Sequence, residues 1–329
     1  MQPTAKILYG PTPLQPAPRL SDRLGIELWI KRDDLAGPTV GGNKSRQLEY
    51  YIGAAVAEGA DTLLITGAVQ SNFSRIAAAT ARMHGLEPVV QREERVAGAS
   101  GAARRSGNVL LSDILGAEVL DYPEGEDEAG ADAALDRRAD ALRAEGRKPY
   151  VIHLGAGQKP LGALGYVDAA REMLGQADGF DFYIVGSGSG ATHSGLLAGL
   201  RAEGAQGRVI GACVRRPAPV QAARIAGIIG RLGDIFAPAS RVRPEDIETW
   251  DGAFAPGYGR YGASVIDAMK LMARHEGLHL DPVYTAKSFA AIPALVADGT
   301  IPAGARVCFV HTGGLAGLFA YADTLTEFA

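Results

Sequence analysis

The sequence predicts an α/β protein whose parallel sheets are buried on both faces, and three observations predict it. Short unbroken apolar runs recur along the chain, glycine or a polar turn follows each, and stretches with helical spacing fill the intervals. Strands that are apolar without alternation belong to parallel sheets covered by helices on both sides.

The apolar runs are Asp61–Thr66, Pro88–Val90, Tyr150–Leu154, Phe182–Val185, Arg208–Val214 and Val307–Val310. Helical spacing predicts helices over Gln47–Glu58, Ser74–His84, Gly107–Leu115, Ala131–Glu145, Gly162–Leu174, Gly195–Glu203, Gly262–Glu276 and Ser288–Asp298. The acidic segment Glu124–Gly130 reads as a solvated loop. Between about Ile235 and Gly262 the pattern fails, with Pro238, Pro244 and Pro256 among several glycines, which predicts an irregular loop able to line a site.

A formal charge of −4 over 329 residues gives no basic field, and Arg137–Arg138 and Arg215–Arg216 are too short to make a stripe. Nucleic acid is therefore not an expected partner. The N-terminus has no apolar core of a secretory signal, and no apolar run reaches the roughly 18 residues that span a bilayer. Cys213 and Cys308 sit inside apolar runs without metal-type spacing, so both are expected as buried thiols in a reduced, cytoplasmic compartment.

Three turns carry candidate chemistry. The first, Gly41-Gly-Asn-Lys-Ser-Arg46, precedes a helix. A lysine there feels the positive end of the helix dipole, which lowers its pKa and favours the neutral amine of a Schiff-base nucleophile. Taken alone, such a lysine is more often a phosphate clamp or a surface charge. The second turn, Gly67-Ala-Val-Gln-Ser-Asn72, offers Ser71 and Asn72 at a helix start, either as an anion site or as ordinary caps. The third, Gly186-Ser-Gly-Ser-Gly-Ala-Thr192, follows an apolar strand and precedes a helix, which predicts phosphate binding by backbone N–H groups. Gly186, Gly188 and Ala191 also fit a loose dinucleotide pattern. The next strand ends in Arg215–Arg216 with no acidic residue for a ribose, which argues against NAD and leaves an NADP-dependent reductase open.

The segments GGNKSRQLEY, GAVQSN, GSGSGATHSG, DPVYTAK and HTGG together resemble the D-cysteine desulfhydrase and aminocyclopropane-carboxylate (ACC) deaminase group of pyridoxal-phosphate (PLP) enzymes, in order from about Pro11 to Tyr321. The resemblance implies PLP as cofactor and a fold of type II, like the tryptophan synthase β chain. It implies a large domain of residues 1–45 and 155–329 and a small domain of 46–154, with the cofactor between them, in a homodimer. By resemblance Lys44 is the Schiff-base lysine and the base for the substrate's Cα proton, with Asn43 beside the cofactor. Gly186, Ser187, Gly188, Ser189, Gly190, Ala191 and Thr192 match the phosphate cup. Ser71 and Asn72 match the pair at the substrate carboxylate and the cofactor's phenolic oxygen, flanked by Gln70 and Phe73. Tyr258 and Tyr284 match two tyrosines that face the substrate, and Thr285 and Thr312 match positions near the pyridine nitrogen.

ACC deaminases typically carry Glu where this chain has Thr285. A neutral hydroxyl leaves the ring a weaker electron sink than a carboxylate does, so Thr285 favours β-elimination of sulfide from D-cysteine over cyclopropane opening. L-Cysteate sulfo-lyase and ACC deaminase remain the alternatives within the group, and a silent PLP-binding protein a third. Three departures bear on the substrate: Phe73 where relatives carry His or Gln, Gln47 where many carry Lys, and Gln158–Lys159 where Ser-Asn is usual.

Overall fold

The computed structural model describes residues 2–155 and 157–328. Among them ten strands form two sheets: β1 Leu14–Pro16, β2 Glu27–Lys31, β3 Thr62–Ala68, β4 Glu87–Glu93, β5 Glu118–Tyr122, β6 Pro149–Ile152, β7 Phe182–Ser187, β8 Arg208–Cys213, β9 Glu248–Trp250 and β10 Arg306–Val310. One sheet has the order β5-β4-β3-β6 and the other β1-β2-β10-β7-β8-β9. Every pairing is parallel except β1 on β2.

The chain divides into two compact units. The first comprises Met1–Tyr9, Gly37–Gln158 and Leu315–Ala329, and the second Gly10–Ala36 and Lys159–Gly314. In the first unit β3 is buried along its whole length, as its unbroken apolar run requires, and Leu64 packs with Val89, Leu135, Ala139 and Leu142. Each such aliphatic side chain contributes about 1.5–3 kcal/mol when fully buried. In the second unit Val185, Val209, Cys308 and Val310 of the central strands meet Tyr166, Met173, Leu196, Leu197 and Leu200 from the covering helices. Cys213 and Cys308 are both buried, and desolvation pushes each thiol up to about 12.

The unit boundaries differ from the expected 1–45 and 155–329 against 46–154. Backbone contacts with no hydrophobic period tie both ends of the chain to the first unit. Gly53 lies against the N-terminal segment, where a Cβ would meet Pro3 O at 2.5 Å, and Gly107, at φ +59°, lies against Ala316 O, 2.4 Å from its ideal Cβ. Glu49 also accepts the N–H groups of Ile7 and Leu8, both at 3.1 Å.

All six apolar runs contain strands. The strands β1, β2, β5 and β9 were not expected: β1, β5 and β9 are short or half-exposed edges, β9 lying inside the segment expected to be irregular, and β2 mixes exposed and half-buried positions with buried ones. The helix Ala218–Leu232 was also not expected, although Ile225, Ile228, Ile229 and Leu232 form its buried stripe at helical spacing. Five of the eight predicted helices begin two to four residues late. The helix Lys44–Ala57 begins at Lys44 itself, because the three glycine and asparagine residues before it end the turn sooner than the apolar period shows.

Candidate active site

In the first unit the backbone before Lys44 runs through left-handed space. Gly37, Thr39, Val40, Gly41 and Gly42 all have positive φ, at +73°, +51°, +56°, +63° and +135°. A non-glycine residue there costs roughly 1–2 kcal/mol, so Thr39 and Val40 need an external hold. Arg75 supplies it. The fully buried guanidinium donates to the carbonyl of Thr39, to Thr39 Oγ1 at 2.9 Å and to Gly41 O at 3.4 Å. No carboxylate pairs with Arg75 among the described residues, and burial lowers its pKa to about 10.

Lys44 is the first residue of its helix and half-buried. Its Nζ lies 3.5 Å from Gln47 Oε1 and 5.1 Å from the centre of the Phe73 ring, with no carboxylate partner among the described residues. Desolvation draws the ammonium down to about 8, and the dipole of the helix acts in the same direction. Phe73 is buried, tilted against Tyr51 at 6.1 Å between ring centres, so it walls the surroundings of the lysine.

The Lys44 turn and the Ser71–Asn72 turn belong to one hydrogen-bond network. Arg75 Nε donates to Asn108 Oδ1 at 2.9 Å, and Asn108 Nδ2 donates to Asn72 Oδ1 at 2.8 Å and to Gln70 O at 3.1 Å. Asn72 Nδ2 is left to donate elsewhere. Ser71 caps the helix Asn72–Met83, its Oγ accepting from Ser74 N at 3.1 Å, the capping role that the turn allowed. Gln70, expected beside the substrate, has its amide committed to backbone: Nε2 donates to Ala103 O at 2.7 Å and Ser106 O at 2.9 Å, and Oε1 accepts from Asn108 N at 2.9 Å.

In the second unit the glycine turn closes β7 and opens the helix Ala191–Ala202. Three consecutive carbonyls of the turn are occupied. Gly188 O accepts from Gln221 Nε2 at 3.1 Å and Arg216 Nη1 at 3.2 Å, Ser189 O from Arg224 Nε at 2.8 Å, and Gly190 O from Ser194 N at 2.9 Å. What remains for a ligand is the set of N–H groups, including those at the helix start that have no intrahelical acceptor. Gly190 sits at φ +102°, and a Cβ there would fall 2.6 Å from Ile228 Cδ1. Ser187 points inward, its Oγ 3.2 Å from His193 Nδ1 and accepting from Gln221 Nε2 at 2.8 Å. Burial lowers the pKa of His193 to about 4. Ala191 and Thr192 are the first residues of the helix, and among the described residues the buried Ser194 Oγ has no partner.

The same unit holds Tyr258, Tyr284, Thr285 and Thr312. The hydroxyls of Tyr258 and Tyr284 share a short hydrogen bond, and their rings cross edge to face at 6.0 Å. Lys287, fully buried, donates to Phe254 O at 2.9 Å and Gly257 O at 2.7 Å, and so fixes the loop that carries Tyr258. Desolvation lowers its pKa to about 8. Thr285 is buried and bonded to Asp281, while Thr312 is half-buried just beyond β10. Arg75, Asn108, Gln221, Arg224, Asp281 and Lys287 were not among the expected site residues. They bond mainly backbone or one another, and no local motif advertises that.

The family model described as pyridoxal-phosphate dependent enzyme matches residues 5–313. The chain is 39% identical over 327 residues to the D-cysteine desulfhydrase of Klebsiella pneumoniae (strain 342), covering 97% of this chain and 96% of that one. It is 38% identical over 322 residues to the D-cysteine desulfhydrase of Salmonella typhi, with the same coverage. A crystal structure of an ACC deaminase homologue superposes with a TM-score of 0.87 at 33% identity, covering 99% of this chain and 96% of the other.

Proposed function

The chain belongs to the pyridoxal-phosphate-dependent enzyme family, with the type II fold, and from that premise we propose that it is a lyase converting D-cysteine and water to pyruvate, ammonia and sulfide. An NADP-dependent reductase, which would have used the glycine turn and Arg215, is thereby set aside. The observation that carries the proposal is the Lys44 amine at the head of its helix, 5.1 Å from the centre of the Phe73 ring and, among the described residues, without an acidic partner, where burial draws its pKa down to about 8. D-Cysteine is chosen for the 38–39% identity to two D-cysteine desulfhydrases over nearly the whole chain.

The residues present fit the cofactor. The glycine turn offers N–H donors where Cβ atoms at Gly186, Gly188 and Gly190 would fall 2.6–3.0 Å from neighbouring side chains, and Ser194 Oγ is a buried orphan one turn on. Those are the needs of a phosphate, and a neutral lysine amine is the need of an aldehyde. Lys44, Asn43, Asn72, Thr285, Thr312 and the turn from Gly186 to Thr192 are the residues assigned to hold it. When bound, the cofactor draws off the electron pair left at the substrate's Cα.

The rest is protein chemistry. Lys44 takes the Cα proton, a transfer that positioning favours by several kcal/mol. Ser71 and Asn72 hold the substrate carboxylate through the helix start and the Asn72 amide. The Tyr258–Tyr284 pair, whose hydroxyls share a hydrogen bond, gives a proton to the departing sulfur. Borohydride reduction and peptide mapping test the reading: the pyridoxyl label belongs on Lys44, and Lys44→Ala turning over D-cysteine at the parental rate would end it.

A cytoplasmic homodimer belongs to the same proposal. Among the described residues no helix is long and apolar enough to cross a membrane. Leu110 and Ile114 are 47% and 72% exposed on one short helix, an apolar face for a second copy to cover.

A further inference from the structure

The glycine turn from Gly186 to Thr192 is held by its carbonyls. Ser187 O accepts from Val214 N at 3.1 Å, Gly188 O from Gln221 Nε2 at 3.1 Å and Arg216 Nη1 at 3.2 Å, Ser189 O from Arg224 Nε at 2.8 Å, and Gly190 O from Ser194 N at 2.9 Å. The peptide bonds of the turn are trans, and across a trans peptide the C=O and the following N–H point in opposite directions. Each held carbonyl therefore turns the next N–H to the other side. There the N–H groups of Ser189 and Gly190 take no acceptor among the described residues.

Gln221 stands at the centre of this hold. It belongs to the helix Ala218–Leu232, whose face of Gln221, Ile225 and Ile228 lies along the turn: a Cβ on Gly190 would fall 3.1 Å from Ile225 Cδ1 and 3.9 Å from Gln221 Nε2. The Gln221 side chain is fully buried, and its one NH2 group donates twice, to Gly188 O and to Ser187 Oγ at 2.8 Å. A carbonyl can only accept, so the amide cannot turn over without setting Oε1 against Gly188 O. Oε1 itself is buried with no partner among the described residues. A dry amide oxygen is costly, and the residue that bears this cost spends both of its donors on the turn.

We propose that Gln221 is a positioning residue for the cofactor phosphate: by holding the Gly188 carbonyl back, it aims the Ser189 N–H at an anion that Gln221 itself does not touch. The proposal rests on the cofactor reading above. Arg216 stays on the same carbonyl when Gln221 is replaced, so the turn loosens without losing every donor. Ser187 Oγ then keeps only His193 Nδ1, at 3.2 Å. The effect is therefore confined to how well the turn meets the phosphate.

The test compares two ligands of the apoprotein that differ in the phosphate, pyridoxal phosphate and pyridoxal, each titrated by the absorbance of the bound aldehyde. Gln221→Met keeps the length and removes both donors. Its Kd for pyridoxal phosphate is expected to rise about ten- to hundredfold, with the Kd for pyridoxal unchanged. Gln221→Glu keeps the shape and sets an acceptor against Gly188 O; the same selective loss is expected, which covers the case of a poorly folding Met variant. A residue that merely held the fold would weaken both ligands alike. Parental affinity for pyridoxal phosphate in both variants, or an equal loss of the two ligands in both, overturns the proposal. Borohydride labelling of the parent separates the failures: no pyridoxyl on Lys44 sinks the cofactor reading, whereas label on Lys44 with parental affinity in the variants sinks only the role of Gln221.

Discussion

Arg75 donates from one guanidinium nitrogen to both the carbonyl and the hydroxyl of Thr39, and this pair fixes the left-handed backbone from which Lys44 projects. Arg75→Met leaves the Thr39 and Gly41 carbonyls and Asn108 Oδ1 without their donor. A loss of about 3 kcal/mol in denaturant unfolding is expected, from stranded buried acceptors. Arg75→Lys restores charge without the fork that spans Thr39, Gly41 and Asn108, so only partial recovery is expected. Parental stability in Arg75→Met would show that the loop holds itself.

Lys44 titrates near 8 instead of 10.5 because burial disfavours its ammonium. The reactive form is the neutral amine, so the folded protein holds it from about pH 8 upward, and protonation removes it as pH falls through that value. The rate of borohydride-trapped pyridoxal incorporation at Lys44 is therefore expected to rise through pH 8 and level off, where an ordinary lysine keeps rising towards 10.5. Lys287 also lies near 8, but it is fully buried and bonded to two carbonyls, and peptide mapping distinguishes the two.

Gly190→Ala puts a Cβ 2.6 Å from Ile228 Cδ1 in a backbone at φ +102°. Strain of about 1–3 kcal/mol at such a position displaces the turn, and cofactor affinity is expected to fall roughly ten- to hundredfold, read by fluorescence titration of the apoprotein. Unchanged affinity would remove this turn from the phosphate's contacts.

The short bond between Tyr258 and Tyr284 makes each hydroxyl depend on the other. Tyr258→Phe and Tyr284→Phe are each expected to lower kcat by about a hundredfold, the low end of a general-acid contribution, with D-cysteine KM little changed. The double variant is expected to lose no more than the worse single one, because the pair acts as a unit. Additive losses would give the two rings separate tasks.

The alternation of apolar runs with helical stretches was enough to place the α/β class and six strands, because burial on both faces of a parallel sheet writes itself into consecutive residues. The edge strands β5 and β9 left no such record. The placement of Lys44, Ser71, Asn72 and the glycine turn at element boundaries was legible, since Gly, Ser and Asn are demanded there by backbone geometry. Arg75 and Asp281 were not, although Asp281 lay inside a motif already singled out. Their partners are a carbonyl at residue 39 and a hydroxyl four positions on, contacts that exist only after the chain has turned. Thr285 is the instructive case: its bond to the buried Asp281 carboxylate joins two residues of one motif, and the motif alone does not announce it.

D-Cysteine, L-cysteine, cysteate and ACC assayed side by side discriminate the substrate. Sulfide leaves as a weak base and needs one proton, which the tyrosine pair offers, whereas ACC opening requires protonation of carbon at a different place. D-Cysteine is therefore expected to turn over fastest, measured as sulfide and pyruvate released in equal amounts. Activity confined to ACC, with no sulfide from either cysteine, would overturn the desulfhydrase reading, despite the 38–39% identity to the D-cysteine desulfhydrases.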